Sequence, residues 1–329
     1  MTMQHEPLRP PRTERRGFLK SSAIGAATLA GLSLSCGAYA ADGSDTLAFV
    51  ADGKQFPFDT GSLKGVLRPQ GNSSGITSVV NAARGATVSR SLGLFTHYRL
   101  LEAAKRHGTS ARERSSESRL LADGTVEATW AADENHPFEL KAVYRWAAPD
   151  VLDVVTSVTA RKDLTGFEVF LSSYFEGFGE SWVYAKDAGL AAGKPPFVQA
   201  TRDKGVWQMF PRDKQAAEMI GDGRWKQPPH PVDWAIRPTL AGPLGMRIDR
   251  KTGLVALVMA PPEDCFAIST PFGTEGHRSL YLSLFGQDFK LGQTKAACSR
   301  LVVRPGVSFE DAVRIYTEYL KECNEAVDQ

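Results

Sequence analysis

Three stretches of the chain bring ionisable and aromatic side chains together where strands end or turns begin. In Phe95-Thr96-His97-Tyr98-Arg99, strand alternation sends His97 and Arg99 to one face. The imidazole can carry a proton and the guanidinium can fork onto a pair of oxygens, so together they suit a hydroxyl-rich or carboxylate-bearing ligand. In Ser172-Ser173-Tyr174-Phe175-Glu176-Gly177-Phe178-Gly179, a strand runs into a glycine turn with Ser172, Tyr174 and Glu176 on one face. A carboxylate placed there beside aromatics can have a raised pKa and act as general acid or base. In Thr270-Pro271-Phe272-Gly273-Thr274-Glu275-Gly276-His277-Arg278, a glycine-punctuated turn presents Glu275 and His277 together. That spacing suits an acid/base pair, or two metal ligands without a defined third. Each stretch also has a plainer reading: an exposed polar strand face, a salt bridge at Glu176, and ordinary loop polarity.

A fourth region is set apart by proline and tryptophan. From Ala188 to Arg237 the chain carries Pro195, Pro196, Pro211, Pro228, Pro229 and Pro231 together with Trp207, Trp225 and Trp234. A loop of that length inside a compact domain is usually functional or a lid, and its aromatics can form an apolar platform. Alternatively each Trp pins the loop to a sheet. Trp182, Trp207 and Trp225 are the expected stacking residues. Arg212, beside Asp213, and Asp264, beside Cys265, are further candidates of lower rank.

The elements that position these residues read as strands. Apolar or β-branched side chains alternate with polar ones through Leu140 to Trp146 and Val151 to Ala160, joined by the Pro149-Asp150 turn. Similar runs occupy Thr46 to Val50, Val126 to Trp130, Phe167 to Phe175, Leu254 to Ala260, Leu280 to Phe285 and Ala296 to Val303. So many strands without helices between them predict an all-β fold of large stacked antiparallel sheets. One helix is expected: Ser308 caps it with Asp311 three places on, and Phe309, Ala312, Val313, Tyr316, Tyr319 and Leu320 mark the face that lies against a sheet.

The first 40 residues read as an address. Arg15 and Arg16 precede an uncharged run from Ser21 to Ala40, the pattern of a twin-arginine signal, and Ala38-Tyr39-Ala40 is an A-x-A cleavage site. The run is weakly apolar for a membrane span, and the lead-in to Cys36 is poor for lipidation. The expected organisation is therefore a signal peptide over residues 1–40 and a single domain over 41–329, periplasmic or secreted, with no stable membrane span after cleavage. Removing residues 1–40 takes away five of the 39 Lys and Arg and two of the 37 Asp and Glu, leaving 34 basic against 35 acidic. That balance gives no electrostatic case for nucleic acid. Six His and four Cys lack CxxC or HxxxH spacing, so neither metal nor cofactor is expected. Cys265 and Cys298 lie in strand-like segments, where they could pair across a sheet or, with Cys323, be small buried residues.

At the aromatic strand and the late turn the sequence resembles the galactose mutarotase-like superfamily. Ser172-Ser173-Tyr174-Phe175-Glu176 is similar, in its Tyr-Phe centre, to the His-x-Tyr-Phe-Asn type strand of aldose epimerases. Phe289-Lys290-Leu291-Gly292-Gln293-Thr294 is similar in placement to the Leu-x-Pro-Gly-Glu type turn that introduces their C-terminal strands. The resemblance spans most of the mature chain and implies a large antiparallel β-supersandwich that binds carbohydrate on a concave sheet face. It departs at Ser172, where the family motif has its catalytic His; a hydroxyl cannot replace imidazole as an acid near neutral pH. Glu275 corresponds in kind to the late carboxylate base.

The expected function is an exported carbohydrate-active protein, epimerase-like or lyase-like. In the lyase-like form Arg99 or Arg212 neutralises a uronate carboxylate while Tyr174 or His97 moves the proton. The alternative is a non-catalytic periplasmic carbohydrate-binding protein; a purely structural sandwich is the third reading. The expected catalytic residues are His97, Glu176, Glu275 and His277. The expected substrate-binding residues are Arg99, Tyr174, Trp182, Trp207, Arg212 and Trp225. The expected partners are a carbohydrate and the twin-arginine export machinery.

Overall fold

The computed structural model describes residues 47–71, 74–186, 195–272 and 278–327. Where alternation is clean, strands form as expected. Phe138–Ala148 turns Phe138, Leu140, Ala142, Tyr144 and Trp146 inward, and pairs with Val151–Ala160 across the Pro149-Asp150 turn. These two belong to a nine-stranded antiparallel sheet, in spatial order Phe197–Gln199, Glu180–Ala185, Leu240–Asp249, Leu254–Met259, Thr294–Pro305, Val151–Ala160, Phe138–Ala148, Val126–Trp130 and Glu117–Leu120.

Facing it is a seven-stranded sheet in the order Ala235–Ile236, Trp207–Pro211, Cys265–Pro271, Ser279–Phe289, Leu164–Tyr174, Thr96–Glu102 and Lys105–Arg106. The main core fills the space between the sheets, with Trp130, Leu140 and Leu301 from one meeting Leu100, Leu171 and Leu282 from the other. A four-stranded meander, Phe56–Asp59, Leu63–Arg68, Gly75–Asn81 and Ala86–Thr87, adds Phe58 and Leu67 to that core. This is the all-β supersandwich with a C-terminal helix that the sequence predicts.

The central strands differ from the expected half-buried kind. Leu254–Met259 and Cys265–Pro271 are buried at every position, because each sheet is covered on its outer side as well. On the nine-stranded sheet the cover is the helix Phe309–Val327, which lays Ala312, Tyr316, Tyr319 and Cys323 over Leu244, Met246, Leu257 and Val302. Its start is capped as predicted: the Ser308 hydroxyl accepts from the Asp311 amide at 3.0 Å and donates to the Asp311 carboxylate at 2.8 Å.

On the seven-stranded sheet the cover is the proline-rich segment, and here the expected loop is corrected. It contains the strands Phe197–Gln199, Trp207–Pro211 and Ala235–Ile236 and a short helix, Lys214–Ile220, whose Asp213 cap accepts from the Ala216 amide at 2.8 Å. Ala235–Ile236 runs parallel to Trp207–Pro211, so the chain between them must cross back over the sheet's outer face. One further expectation fails, and one of two open readings is decided. The described residues of the Thr46 to Val50 run form no strand; Phe49 instead packs its ring on Phe58 and Trp146. Cys265 and Cys298 are not bridged, because they stand in different sheets, and burial pushes the Cys265 thiol up to about 12.

Candidate functional site

The strand Thr96–Glu102 decides where the ionisable residues go. Opposite it, Phe170 pairs with Arg99 but Leu171 pairs with His97, so Tyr98 is an extra residue and the strand bulges. The bulge breaks the alternation on which a shared face for His97 and Arg99 depended. His97 follows Leu171 into the core and Arg99 follows Phe170 to the outer face.

His97 is therefore sealed between the sheets. It is 2% exposed, with Nε2 at 2.9 Å from the Thr156 hydroxyl, Nδ1 at 3.4 Å from the Tyr144 hydroxyl, and its ring beside Trp130. Burial lowers its pKa to about 3, so the ring is neutral at physiological pH. This corrects its expected catalytic role: it is a core residue with satisfied nitrogens.

Arg99 is 4% exposed on the opposite side. Its guanidinium lies over the rings of Tyr98 (5.3 Å) and Trp225 (5.1 Å), and Nη2 donates to the His230 carbonyl at 2.8 Å. Among the described residues, neither Nε nor Nη1 meets an acceptor. Arg112 stands over the other ring partner, 4.4 Å from the Tyr98 centroid. Arg106 donates to the Pro229 carbonyl at 2.7 Å; burial lowers its pKa, and the charges of Arg99 and Arg112 press in the same direction.

An aromatic floor continues from this arginine group. Phe170 stacks on Tyr281 (4.6 Å) and meets Trp225 edge-on (4.7 Å); Trp225 meets Trp234 (5.1 Å), and Trp234 meets Trp207 (6.1 Å). Tyr174 joins at 6.0 Å from Tyr281, and burial raises its pKa, so its hydroxyl is a donor and a poor base. Tyr281 shares a short hydrogen bond with the Ser279 hydroxyl. The outer face thus gathers four of the expected binding residues: Arg99, Tyr174, Trp207 and Trp225.

The other expectations go elsewhere. Trp182 lies on the outer side of the nine-stranded sheet, its ring 5.0 Å from Phe309 and its Nε1 donating to Glu180. Arg212 pairs with Asp213 at 2.8 Å and donates to the Pro262 carbonyl, at the far end of its strand from Trp207. Glu176 lies beyond the strand end in a salt bridge with Arg90 at 3.2 Å, the plainer of its two readings. Ser172, where the resembled motif has its acid, is buried and donates to the Thr96 carbonyl at 3.1 Å. Glu275 and His277 lie outside the described residues, between the strands Cys265–Pro271 and Ser279–Phe289. Among the described residues no group of three His, Cys, Asp or Glu is placed to hold a metal.

No protein-family model matches the chain, and no curated protein sequence matches it. Solved structures do. The chain is similar to a galactose mutarotase related enzyme from Lactobacillus acidophilus, at 9% identity over 76% of this chain and 97% of that one, with a TM-score of 0.47. It is similar to an aldose epimerase homologue from C. elegans, at 10% identity over 79% and 99% of the two chains, with a TM-score of 0.41. It is also similar to a heparan sulfate lyase mutant from Pedobacter heparinus, at 8% identity over 80% of this chain and 38% of that one, with a TM-score of 0.45. At such identities no residue role passes from them to this chain.

Sequence reasoning missed the residues that hold the cover in place. Arg224 is buried and donates to Glu168 at 3.1 Å, to Asp222 at 2.8 Å and to the Gly166 carbonyl at 2.8 Å. Burial raises the Glu168 pKa, against the pull of Arg224, and its side chain also faces Ser283. Gly166 has φ +54°, and a Cβ there would stand 3.0 Å from Arg224 Nη2, so the turn favours glycine twice over. Nothing local marks a pair 56 residues apart. Arg106, Arg112 and Tyr281 carried no signal beyond being polar or aromatic within strand-rich stretches.

Proposed function

We propose that the outer face of the seven-stranded sheet is a carbohydrate-binding surface, that its ligand is an acidic saccharide, and that the protein works as an exported binding protein for it. The observation that carries this reading is Arg99: a buried guanidinium, backed by two aromatic rings, with Nε and Nη1 unmet among the described residues. A buried cation costs free energy unless something satisfies it, and a planar fork of this kind matches a carboxylate. Tyr98, Trp225 and Trp234 beside it supply the flat apolar faces on which sugar rings stack.

Binding is favoured over turnover because, among the described residues, this face brings no carboxylate and imidazole together. His97 is on the wrong side of its strand, Glu176 is in a surface ion pair and Ser172 is no acid. An epimerase or lyase activity would fall to Glu275 and His277. Export is part of the proposal, resting on Arg15, Arg16 and the Ala38-Tyr39-Ala40 site. Among the described residues no helix is long and apolar enough to cross a membrane.

Calorimetric titration of the chain from Ala41 onward tests this reading. Tetragalacturonate should bind, neutral cellotetraose should bind at least tenfold more weakly, and Arg99→Met should remove the difference between them. Equal affinity for the two sugars, or no effect of Arg99→Met, contradicts the proposal. Conversion of either sugar by the wild-type protein, lost in Glu275→Gln, would replace binding by catalysis.

A further inference from the structure

The arginine group lies beneath chain. Trp225 is 2% exposed, and the cavity beside it, lined by Ile220, Trp225, Val232, Trp234 and Ile236 among others, measures ≈ 150 Å³. Ligand pockets for small molecules run to about 300–1,000 Å³. What closes the face is the loop Lys226 to Asp233. Its neck is held by the Lys226–Asp233 ion pair and by the Val232 amide donating to the Trp225 carbonyl at 2.9 Å. Its tip is held by two consecutive carbonyls, Pro229 accepting from Arg106 at 2.7 Å and His230 accepting from Arg99 at 2.8 Å. Behind the neck, Arg224 roots the chain to the sheet through Glu168 and Gly166.

Root and tip are held by bonds of different strength. The root is an ion pair inside the protein. The tip is two guanidinium groups donating to neutral carbonyls, while Arg99 keeps two donors unmet among the described residues. A neutral carbonyl takes one bond from each guanidinium, whereas a carboxylate brings the opposite charge and can take two parallel bonds from one guanidinium fork. Arg112 has an acidic partner, Glu113 at 3.8 Å, whereas Arg99 and Arg106 have carbonyls. His230 also sits at φ 62°, in the left-handed region, which histidine tolerates better than most residues at a modest cost to the latched tip.

Resting on the acidic-saccharide reading above, we infer that the Lys226 to Asp233 loop is a built-in competitor for the ligand: its Pro229 and His230 carbonyls occupy Arg106 and Arg99 until a sugar carboxylate displaces them. The loop then turns about its neck, with Arg224 and Glu168 keeping the root in place, and Trp225 is uncovered for stacking. Measured affinity in such a system is the intrinsic affinity reduced by the fraction of molecules with the tip released.

Two measurements test this. Replacing residues 227–232 by a six-residue Gly-Ser linker removes the preset tip and leaves Arg224, Trp225 and the three arginines intact; its affinity for tetragalacturonate should rise at least tenfold over wild type. In the unaltered protein, hydrogen exchange at the Val232 amide should accelerate when tetragalacturonate is added and stay unchanged with cellotetraose, while the Lys226 amide, bonded to Gly223 in the root, should not change with either. Tighter binding by the linker variant, or accelerated exchange where that variant does not fold, supports the inference. Binding by both proteins at equal affinity, with exchange unchanged, overturns the competitor and leaves the binding site standing. No binding by either protein overturns both.

Discussion

The two sides of the Thr96–Glu102 strand offer a direct comparison. On the inner side His97 has both nitrogens near hydroxyls, is surrounded by Trp130 and Tyr144, and is held neutral by burial. On the outer side, two residues on, Arg99 is almost as buried but lies among aromatics and like charges with two donors unmet among the described residues. Equal burial therefore means opposite things. A buried polar group whose partners are all within the fold belongs to the fold, and one with unmet donors on a cationic, aromatic face is the candidate for the ligand proposed above.

The largest effect that sharpens this contrast is at the root of the cover. Glu168→Ala takes away the interior carboxylate of Arg224 and leaves it Asp222 and the Gly166 carbonyl, so the loss should be about 3 kcal/mol, the low end for a broken buried pair. Denaturant unfolding should show that loss, and Glu168→Leu combined with Arg224→Met should recover most of it. A loss under about 1 kcal/mol in the single variant would mean that the cover is not rooted there.

Next in size is the inner side. His97 is depressed to about 3 in the fold against an ordinary 6.5. The unfolded chain thus takes up a proton below pH 6.5 that the folded chain refuses. Stability from this group is fully present above pH 6.5 and falls as the pH drops toward 3, by about 2 kcal/mol at pH 5. His107, also lowered by burial, pushes the same way. His97→Gln should flatten the decline between pH 6.5 and 5 by one proton while leaving saccharide binding unchanged. A variant that abolished binding without unfolding would return His97 to the site.

The smallest effect separates two tryptophans. Trp225→Ala removes the ring beneath Arg99 and should weaken tetragalacturonate binding about tenfold, in line with a desolvated cation–π and stacking contact of about 1–2 kcal/mol. Trp182→Ala, against Phe309 on the other sheet, should leave affinity within twofold. Equal losses would dissolve the distinction between the two faces.

Much of the frame was legible because a strand writes its pattern locally. Phe138–Ala148, Val151–Ala160 and the Ser308-capped helix follow from alternation or from a cap and a stripe. The Tyr98 bulge was not legible: one extra residue reverses every later side chain, and nothing in Thr96-His97-Tyr98-Arg99 announces it. The same stretch was singled out, and the structure places its Arg99 on the outer face and its His97 in the core. Proline and tryptophan between Ala188 and Arg237 marked a cover over the sheet, but the Glu168–Arg224 root joins distant parts of the chain and has no local signature. Trp182 and Trp225 are alike in sequence terms, and only their sheets separate them.

The central claim is that Arg99 receives an acid group from outside the chain. A crystal structure of the protein with tetragalacturonate tests it most directly. The account predicts a sugar carboxylate within hydrogen-bond distance of Arg99 Nε and Nη1, with the His230 carbonyl moved away from Nη2. A saccharide bound elsewhere, with the Arg99–His230 bond intact, would contradict it.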